Sequence, residues 1–563
     1  LAVAVVSVVV LAPLSFVVSH ADYGLTFGDS VSFHLPVVAR WIQDGLWHPG
    51  EFLPLLPTGS YPGTGNLVFL GCSLPWHSFA FVRLVPLPFL ALAGLGTYVA
   101  GRELGAPPPA AIAGAALLVA TKVLGLAAVR ALPDPICIAM FVAGVAFLVR
   151  AERTRARSDL VLAGLSLGLA FGTKWYGMTS VAVVVAAWAL WRTGGLRRRR
   201  GQLAAVATPV LVIALVGGIW LLRNWVVYGN PLQPATVRLL GVTVFLGPDN
   251  VVLRDFGPSI AHYLGQGSII ADTILPQVRG AFGSSGLVLL AGAVATVILL
   301  GRRRGPVRFV LALTVLLAVT YVFTPATAQG LPGHPSPILV FGNSRALLPA
   351  AAAAAALVAW VAARSPRWGT VVLVVTYVAV IRSLDDVYEI TAPTLLWVSL
   401  LAGVVAAALR LPRVSARALA GAAVVAVVVT GGLLYRAQRG IAERTAARTD
   451  ATALWLTTEA PSGHRVGIAG EVYANSHTIT SLLYGPRIGN RVRVVAPLVR
   501  GVLGEYRSSA PFRRSLRGLD LLAIGRGAFT DLDEAQLAWA HDDGFVEVAQ
   551  SPSWTLLRRA APG

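Results

Sequence analysis

The segment Gly28-Asp29-Ser30-Val31-Ser32-Phe33-His34-Leu35-Pro36 follows the first apolar run of the chain. Asp29 therefore stands at the edge of the hydrocarbon, where a carboxylate can take a proton from a hydroxyl group. It is equally suited to cap the amphipathic helix that follows, and the two roles are compatible. His34, five residues on, falls about 140° around an α-helix from Asp29, which suits a polar-face residue that orients the loop. Asp134 lies in Arg130-Ala131-Leu132-Pro133-Asp134-Pro135, a tight turn that opens a helix. It reads as a helix cap or as a second acid facing Asp29. Arg130 in the same turn could pair with it or bind phosphate. Lys174, in Gly172-Thr173-Lys174-Trp175-Tyr176-Gly177, is one of two lysines, with Lys122. At a helix end it either snorkels to the interface or meets a lipid-linked phosphate. Arg223 and Arg345 stand beside Asn and Ser donors, and guanidinium forks match phosphate geometry. Arg345 also precedes an alanine-rich helix, whose N-terminal dipole favours an anion.

These residues depend on membrane helices for their position. The 563-residue chain is 56% apolar and 13% charged, with a mean hydropathy of +0.70; a soluble chain of this length carries about 25% charged residues. A hydrocarbon core needs about 20 apolar residues per helix, and runs of that kind number roughly thirteen. They lie near 1–19, 79–100, 108–128, 134–150, 159–175, 177–192, 203–223, 284–301, 306–324, 346–363, 368–384, 392–410 and 416–435. No small-residue cleavage site follows the first run, so it reads as a retained helix. The formal charge is +20, almost all arginine. Arg102, Arg150 to Arg157, Arg192 to Arg200, Arg302 to Arg304, Arg364 with Arg367, and Arg410 to Arg417 fall in alternate short loops. The positive-inside rule makes those loops cytoplasmic and accounts for the charge without nucleic acid. The N-terminus is then inside and the C-terminus outside. Loops 20–78, 224–283 and 325–345 are outside. Phe33, Val37, Val38, Trp41 and Ile42 share one helical face after Asp29, which suits a helix lying on the membrane surface.

Residues 1–438 thus form a transmembrane domain, and 439–563 change character. Short β-like runs at 465–469, 491–496, 519–524, 545–549 and 554–557 alternate with helical stretches at 446–459, 473–484 and 531–541. This predicts an extracytoplasmic α/β domain with a largely parallel sheet. It has no G-x-G-x-x-G fingerprint, so nucleotide binding is unsupported. Cys72 and Cys137 have neither disulfide-framework nor metal spacing, and no D-x-D or H-x-x-x-H stands near Asp29, where the nearest acid is Asp22; the sequence points to no metal and no cofactor.

Taken together, Gly28-Asp29-Ser30 with Phe33-His34-Leu35-Pro36, Gly172-Thr173-Lys174, Arg223-Asn224 with Gly229-Asn230-Pro231, and Ser344-Arg345 with Leu348-Pro349 resemble the C-type membrane glycosyltransferases. The protein mannosyltransferases and the aminoarabinose transferase of lipid A belong to that superfamily. In the tail, Leu482-Leu483-Tyr484-Gly485-Pro486 and Asn490-Arg491-Val492 resemble the extracytoplasmic domain of bacterial members. The resemblance implies inverting transfer from a polyprenyl-phosphate sugar to a glycan, lipid or protein acceptor outside the bacterial cytoplasmic membrane. It implies Asp29 as general base and Lys174 and Arg345 on the donor phosphate. The competing expectation is a transporter or lipid-linked sugar flippase, which would favour broken helices near the midplane.

Overall fold

The computed structural model describes residues 2–19, 25, 28–46, 58–193, 200–247, 257–301, 305–330, 336–364, 366–388, 462–470, 480–485, 487–499, 502–503, 506–525, 532–550 and 554–560. Each apolar run up to residue 388 lies on a helix. The runs 392–410 and 416–435 and the helical stretch 446–459 lie outside the described residues, as does most of 473–484. Among the described residues, five helices are long and apolar enough to cross a membrane, or up to seven if each of two bent pairs is one span. The pairs are Pro108–Val119 with Lys122–Val129, bent by 67°, and Gln202–Gly217 with Ile219–Tyr228, bent by 45°. Lys122 therefore sits at a break between helices, inside the run 108–128 that hydropathy offered as a single helix.

The alanine-rich helix Leu348–Ala362 is the centre of the bundle, and every one of its residues is buried. Small side chains let neighbouring helices approach closely, which matters where lipid removes the hydrophobic drive for helix association. A Cβ added at Gly114 of the Pro108–Val119 helix would lie 2.3 Å from the Ala355 carbonyl oxygen. The Leu275–Leu300 helix breaks its geometry at Gly283 (φ 59°, ψ −156°). Ser383 answers the break: its hydroxyl accepts from the Ser285 N–H at 3.1 Å and meets the Ser285 hydroxyl at 3.0 Å. Outward-facing Leu211, Leu215, Leu290, Val294, Ile298, Val371 and Val375 leave an apolar belt that water would not tolerate but lipid does.

The C-terminal sheet has five strands in the order Arg491–Val494, Arg465–Gly470, Leu521–Gly525, Trp554–Arg559, Phe545–Gln550. The first three are parallel, and the last two are antiparallel to their neighbours. The sheet is thus mixed, not largely parallel. The last two strands are separated by three residues, a connection that only an antiparallel pair permits. The helix Leu532–Asp542 matches the sequence reading, and Ser509–Ser515 adds a further helix.

One expectation changes in kind. The helix Leu35–Asp44 does not lie bare on a membrane surface. Phe33, Val37, Ala39 and Trp41 pack with Val466, Ile468, Tyr484, Val492 and Trp554 of the C-terminal domain. Leu35 and Val38 pack the other way, against Phe69, Val82 and Ala131. Gln43 Nε2 donates to the carbonyls of Ile488 (3.1 Å) and Asn490 (2.7 Å). Of the face read from the sequence, Phe33, Val37 and Trp41 meet the C-terminal domain, whereas Val38 packs with Phe69, Val82 and Ala131.

Candidate active site

Asp29 opens a π-helical turn, Asp29–His34, that runs straight into the helix Leu35–Asp44. The Leu35 N–H bonds to the Ser30 carbonyl, five residues back. Pro36 has no N–H to offer the Ser32 carbonyl, so the narrower α-helical ladder is already interrupted there. The wider turn corrects the α-helical placement of His34. An i→i+5 turn brings His34 towards the face of Asp29 instead of about 140° away. π-turns of this kind concentrate at functional sites. Ser30 fixes the turn from beneath by donating its hydroxyl to the Arg130 carbonyl.

Three further segments converge on this turn. Asp134 is the first residue of the Asp134–Thr154 helix, and its side chain has no exposure to solvent. Lys174 lies in the turn before Trp175–Thr193. That turn is pinned by the Thr64 N–H, which donates to the Gly172 carbonyl at 2.8 Å. Arg345 projects from the short turn Ser344–Leu347 that leads into the central helix. The Ser344 hydroxyl holds that turn by donating to the Val340 carbonyl at 2.7 Å.

The four charges interlock. Arg345 Nη1 lies 2.7 Å from Asp29 Oδ2 and 3.8 Å from Asp134 Oδ2. Lys174 Nζ lies 3.3 Å from Asp134 Oδ2, and the Tyr176 hydroxyl donates to Asp134 Oδ1 at 2.9 Å. The two acids differ in access: Asp134 is sealed, whereas the Asp29 side chain is 39% exposed. Burial alone would raise the Asp29 carboxyl, but the Arg345 guanidinium, with Lys174, outweighs it and holds the group below the usual carboxylate range. For His34, burial and the Lys174 charge push the imidazole down to about 3, so it is neutral near pH 7. Its Nδ1 lies 2.8 Å from Asn66 Oδ1, while Nε2 is buried with no hydrogen-bond partner among the described residues. With the Nδ1 proton given to Asn66, Nε2 presents a lone pair, suited to accept from a hydroxyl. Phe33, Tyr61 and Trp175 form an aromatic run beside these groups, with edge-on contacts at 5.5 and 6.3 Å.

The structure thus brings together Asp29, His34, Asp134, Lys174 and Arg345. Arg130 enters through its backbone carbonyl. Arg223 stands elsewhere: it donates to the carbonyls of Leu46 and Gly59, and its neighbour Asn224 donates to that of Ser60. It braces the segment that follows the Leu35–Asp44 helix against the Ile219–Tyr228 helix. Asn66 and Tyr176 were not singled out from the sequence. Tyr176 lies two residues after Lys174, a weak signal, and Asn66 had none. Among the described residues, no three of His, Cys, Asp and Glu converge as metal ligands.

The cluster and the arginines lie at opposite ends of the same helices. Asp134 begins a 21-residue helix, about 31 Å long, that ends beside Glu152 and Arg153. That length matches a hydrocarbon core. At the far end Arg192 meets Glu152 at 2.7 Å and Arg153 meets Glu103 at 2.8 Å.

Residues 57–228 match the family model described as dolichyl-phosphate-mannose-protein mannosyltransferase. The structure aligns with ArnT from Cupriavidus metallidurans bound to undecaprenyl phosphate at a TM-score of 0.59 and 18% identity, covering 99% of this chain and 98% of that one. The fold is that of the C-type membrane glycosyltransferases. The apo state of the same ArnT gives a TM-score of 0.55 at 17% identity, with the same coverage. Comparison of the sequence with curated proteins gives no match. The structural likeness covers nearly the whole length of the chain, at an identity where side chains have largely diverged.

Proposed function

We propose that the protein is an inverting glycosyltransferase that moves a sugar from a polyprenyl-phosphate donor to an acceptor outside the bacterial cytoplasmic membrane. The observation that carries the proposal is the interlocked cluster of Asp29, Arg345, Asp134 and Lys174 at one membrane end of the bundle. The family-model match and the undecaprenyl phosphate bound by ArnT support the donor class.

In this reading the acceptor hydroxyl oxygen attacks the anomeric carbon. The bond from that carbon to the donor phosphate oxygen breaks, and its electron pair leaves with the polyprenyl phosphate. The proton passes to Asp29, and the anomeric configuration inverts. No nucleotide is needed, because the lipid phosphate is already a leaving group. Arg345 and Lys174 stabilise the charge that grows on it, in a site where fixed cations act more strongly than water.

The ion pair adds a gate to this chemistry. With Arg345 at 2.7 Å, Asp29 is a weak base. A donor phosphate that draws Arg345 towards itself relieves the carboxylate and raises its basicity when the donor is in place. Asp134 has no access to the acceptor and acts by holding Lys174 and Arg345 in position. His34 Nε2 accepts from a sugar or acceptor hydroxyl.

The test is transfer of radiolabelled sugar from a panel of polyprenyl-phosphate sugars to envelope acceptors, with wild type beside Asp29→Asn. Removing a general base costs about 10²–10⁴ in rate. Transfer that persists within tenfold in Asp29→Asn would falsify the base assignment. The two bent helix pairs favour a second reading, a lipid-linked sugar flippase. Protein in liposomes that moves the labelled donor across the bilayer without transferring sugar would select it.

A further inference from the structure

A cavity of about 420 Å³ opens where the C-terminal sheet meets the helix Leu35–Asp44. Its lining holds five arginines, Arg40, Arg465, Arg491, Arg493 and Arg517, against a single carboxylate, Asp44. Arg40 already uses that carboxylate, at 3.0 Å. Asp520 is adjacent, and its Oδ2 accepts from the Arg465 backbone N–H at 2.8 Å. Arg493 is tied down by the carbonyls of Ser515 and Arg517. Arg465, Arg491 and Arg517 have no ion-pair partner among the described residues.

The register sharpens the point. Arg465 and Arg491 sit directly opposite each other on neighbouring parallel strands. Like charges in that relation destabilise a sheet. The same domain can supply counter-charges, since Asp543 pairs with both Arg513 (3.5 Å) and Arg559 (3.2 Å). Beside the cavity the repulsion is kept instead, and guanidinium forks are left free to match the paired oxygens of a phosphate or carboxylate.

The position gives the occupant. Arg40 lies on the helix that continues from the Asp29 turn, eleven residues on, or roughly 15 Å along its axis. Residues 30–39 of that stretch are buried, so an acceptor anchored in the cavity by an anionic group would pass around the helix to bring a hydroxyl to Asp29. We propose that this arginine-lined cavity binds a phosphate or carboxylate group of the acceptor, and so holds the acceptor while its hydroxyl reaches Asp29. The acceptor role rests on the glycosyltransferase reading; the anion site does not.

The experiment uses the full chain in phosphatidylcholine nanodiscs, with inorganic pyrophosphate as probe in isothermal titration at low salt. The triple variant R465Q/R491Q/R517Q is expected to bind at least tenfold more weakly, while Arg345→Gln retains binding at this cavity. Because the substitutions remove repulsion between exposed side chains, the melting temperature of the triple variant is expected to stay level or rise. R465K/R491K/R517K keeps the charge but not the forks and should bind between the two. Pyrophosphate binding equal in wild type and triple variant overturns the site. Displacement of pyrophosphate by phosphatidylglycerol added to the discs assigns the cavity to lipid headgroups and overturns the acceptor role. In transfer assays with an anionic acceptor, the triple variant should raise the acceptor KM at least tenfold with kcat and donor KM unchanged; an unchanged acceptor KM overturns the acceptor role. Failure of transfer in wild type sinks the glycosyltransferase reading and leaves the titration standing.

Discussion

Replacing Asp134 with Asn separates its role from that of Asp29. The side chain is fully buried, with Tyr176, Lys174 and Arg345 around it at 2.9, 3.3 and 3.8 Å. Asparagine keeps the shape and can still accept from Tyr176, so the loss is one charge. Breaking a buried ion pair costs about 3–5 kcal/mol, mostly from the stranded partner. Here Arg345 keeps Asp29 at 2.7 Å, so the stranded group is Lys174, whose side chain is 15% exposed. The low end applies, about 3 kcal/mol. A second substitution, Lys174→Met, removes the stranded charge, and replacing a buried pair by apolar groups is often close to neutral. The double variant is therefore expected to be more stable than Asp134→Asn alone, with a coupling of about 2–3 kcal/mol. The assay is the midpoint of denaturant-induced loss of tertiary signal in detergent, run as a double-mutant cycle. Donor affinity, read by binding of polyprenyl phosphate, should fall at least tenfold in all three variants, each of which lacks Lys174 or its counter-ion. If the two single losses simply add, Asp134 does not hold Lys174 and the positioning argument is wrong.

The remaining predictions concern charge, pH and packing. Arg345→Gln should raise the donor KM at least tenfold and move the acid limb of kcat/KM upward, because the cation that holds Asp29 low is gone. In wild type the sign is the reverse: the folded carboxyl lies below its unfolded value of about 3.9, so Asp29 contributes stability above that pH and loses it below. The free-enzyme profile should therefore stay flat from pH 7 to about 4. His34, pushed down to about 3, binds its proton more readily in the unfolded chain than in the folded one. Stability should fall by about 1.4 kcal/mol per pH unit as the pH drops below about 6.5, and His34→Gln should remove that slope. Trp41→Ala, at the contact with Trp220 (5.8 Å) and the C-terminal domain, should cost about 3–5 kcal/mol. It should also leave the C-terminal sheet more open to protease.

Composition and periodicity fixed a good deal in advance. Long apolar runs can satisfy their backbone only as helices in lipid, so those up to residue 388 appear where the hydropathy put them. The strands from 465 to 559 were legible because alternating β-branched and apolar residues end at turn residues. Asp29, Asp134, Lys174 and Arg345 could be picked out one by one, because ionisable groups at the ends of apolar helices are costly and few. What lay beyond the sequence was every relation between segments far apart in the chain. The pairing of Asp29 with Arg345 joins residues more than 300 positions apart and depends on how the central helix seats in the bundle. The π-turn that brings His34 towards Asp29 depends on local hydrogen bonding that a helical wheel assumes away. The face of Phe33, Val37 and Trp41 announced burial, but burial does not name its partner, and lipid and a folded domain look alike to a hydrophobic pattern. Nothing in the sequence set Arg465 beside Arg491; the register of two strands did.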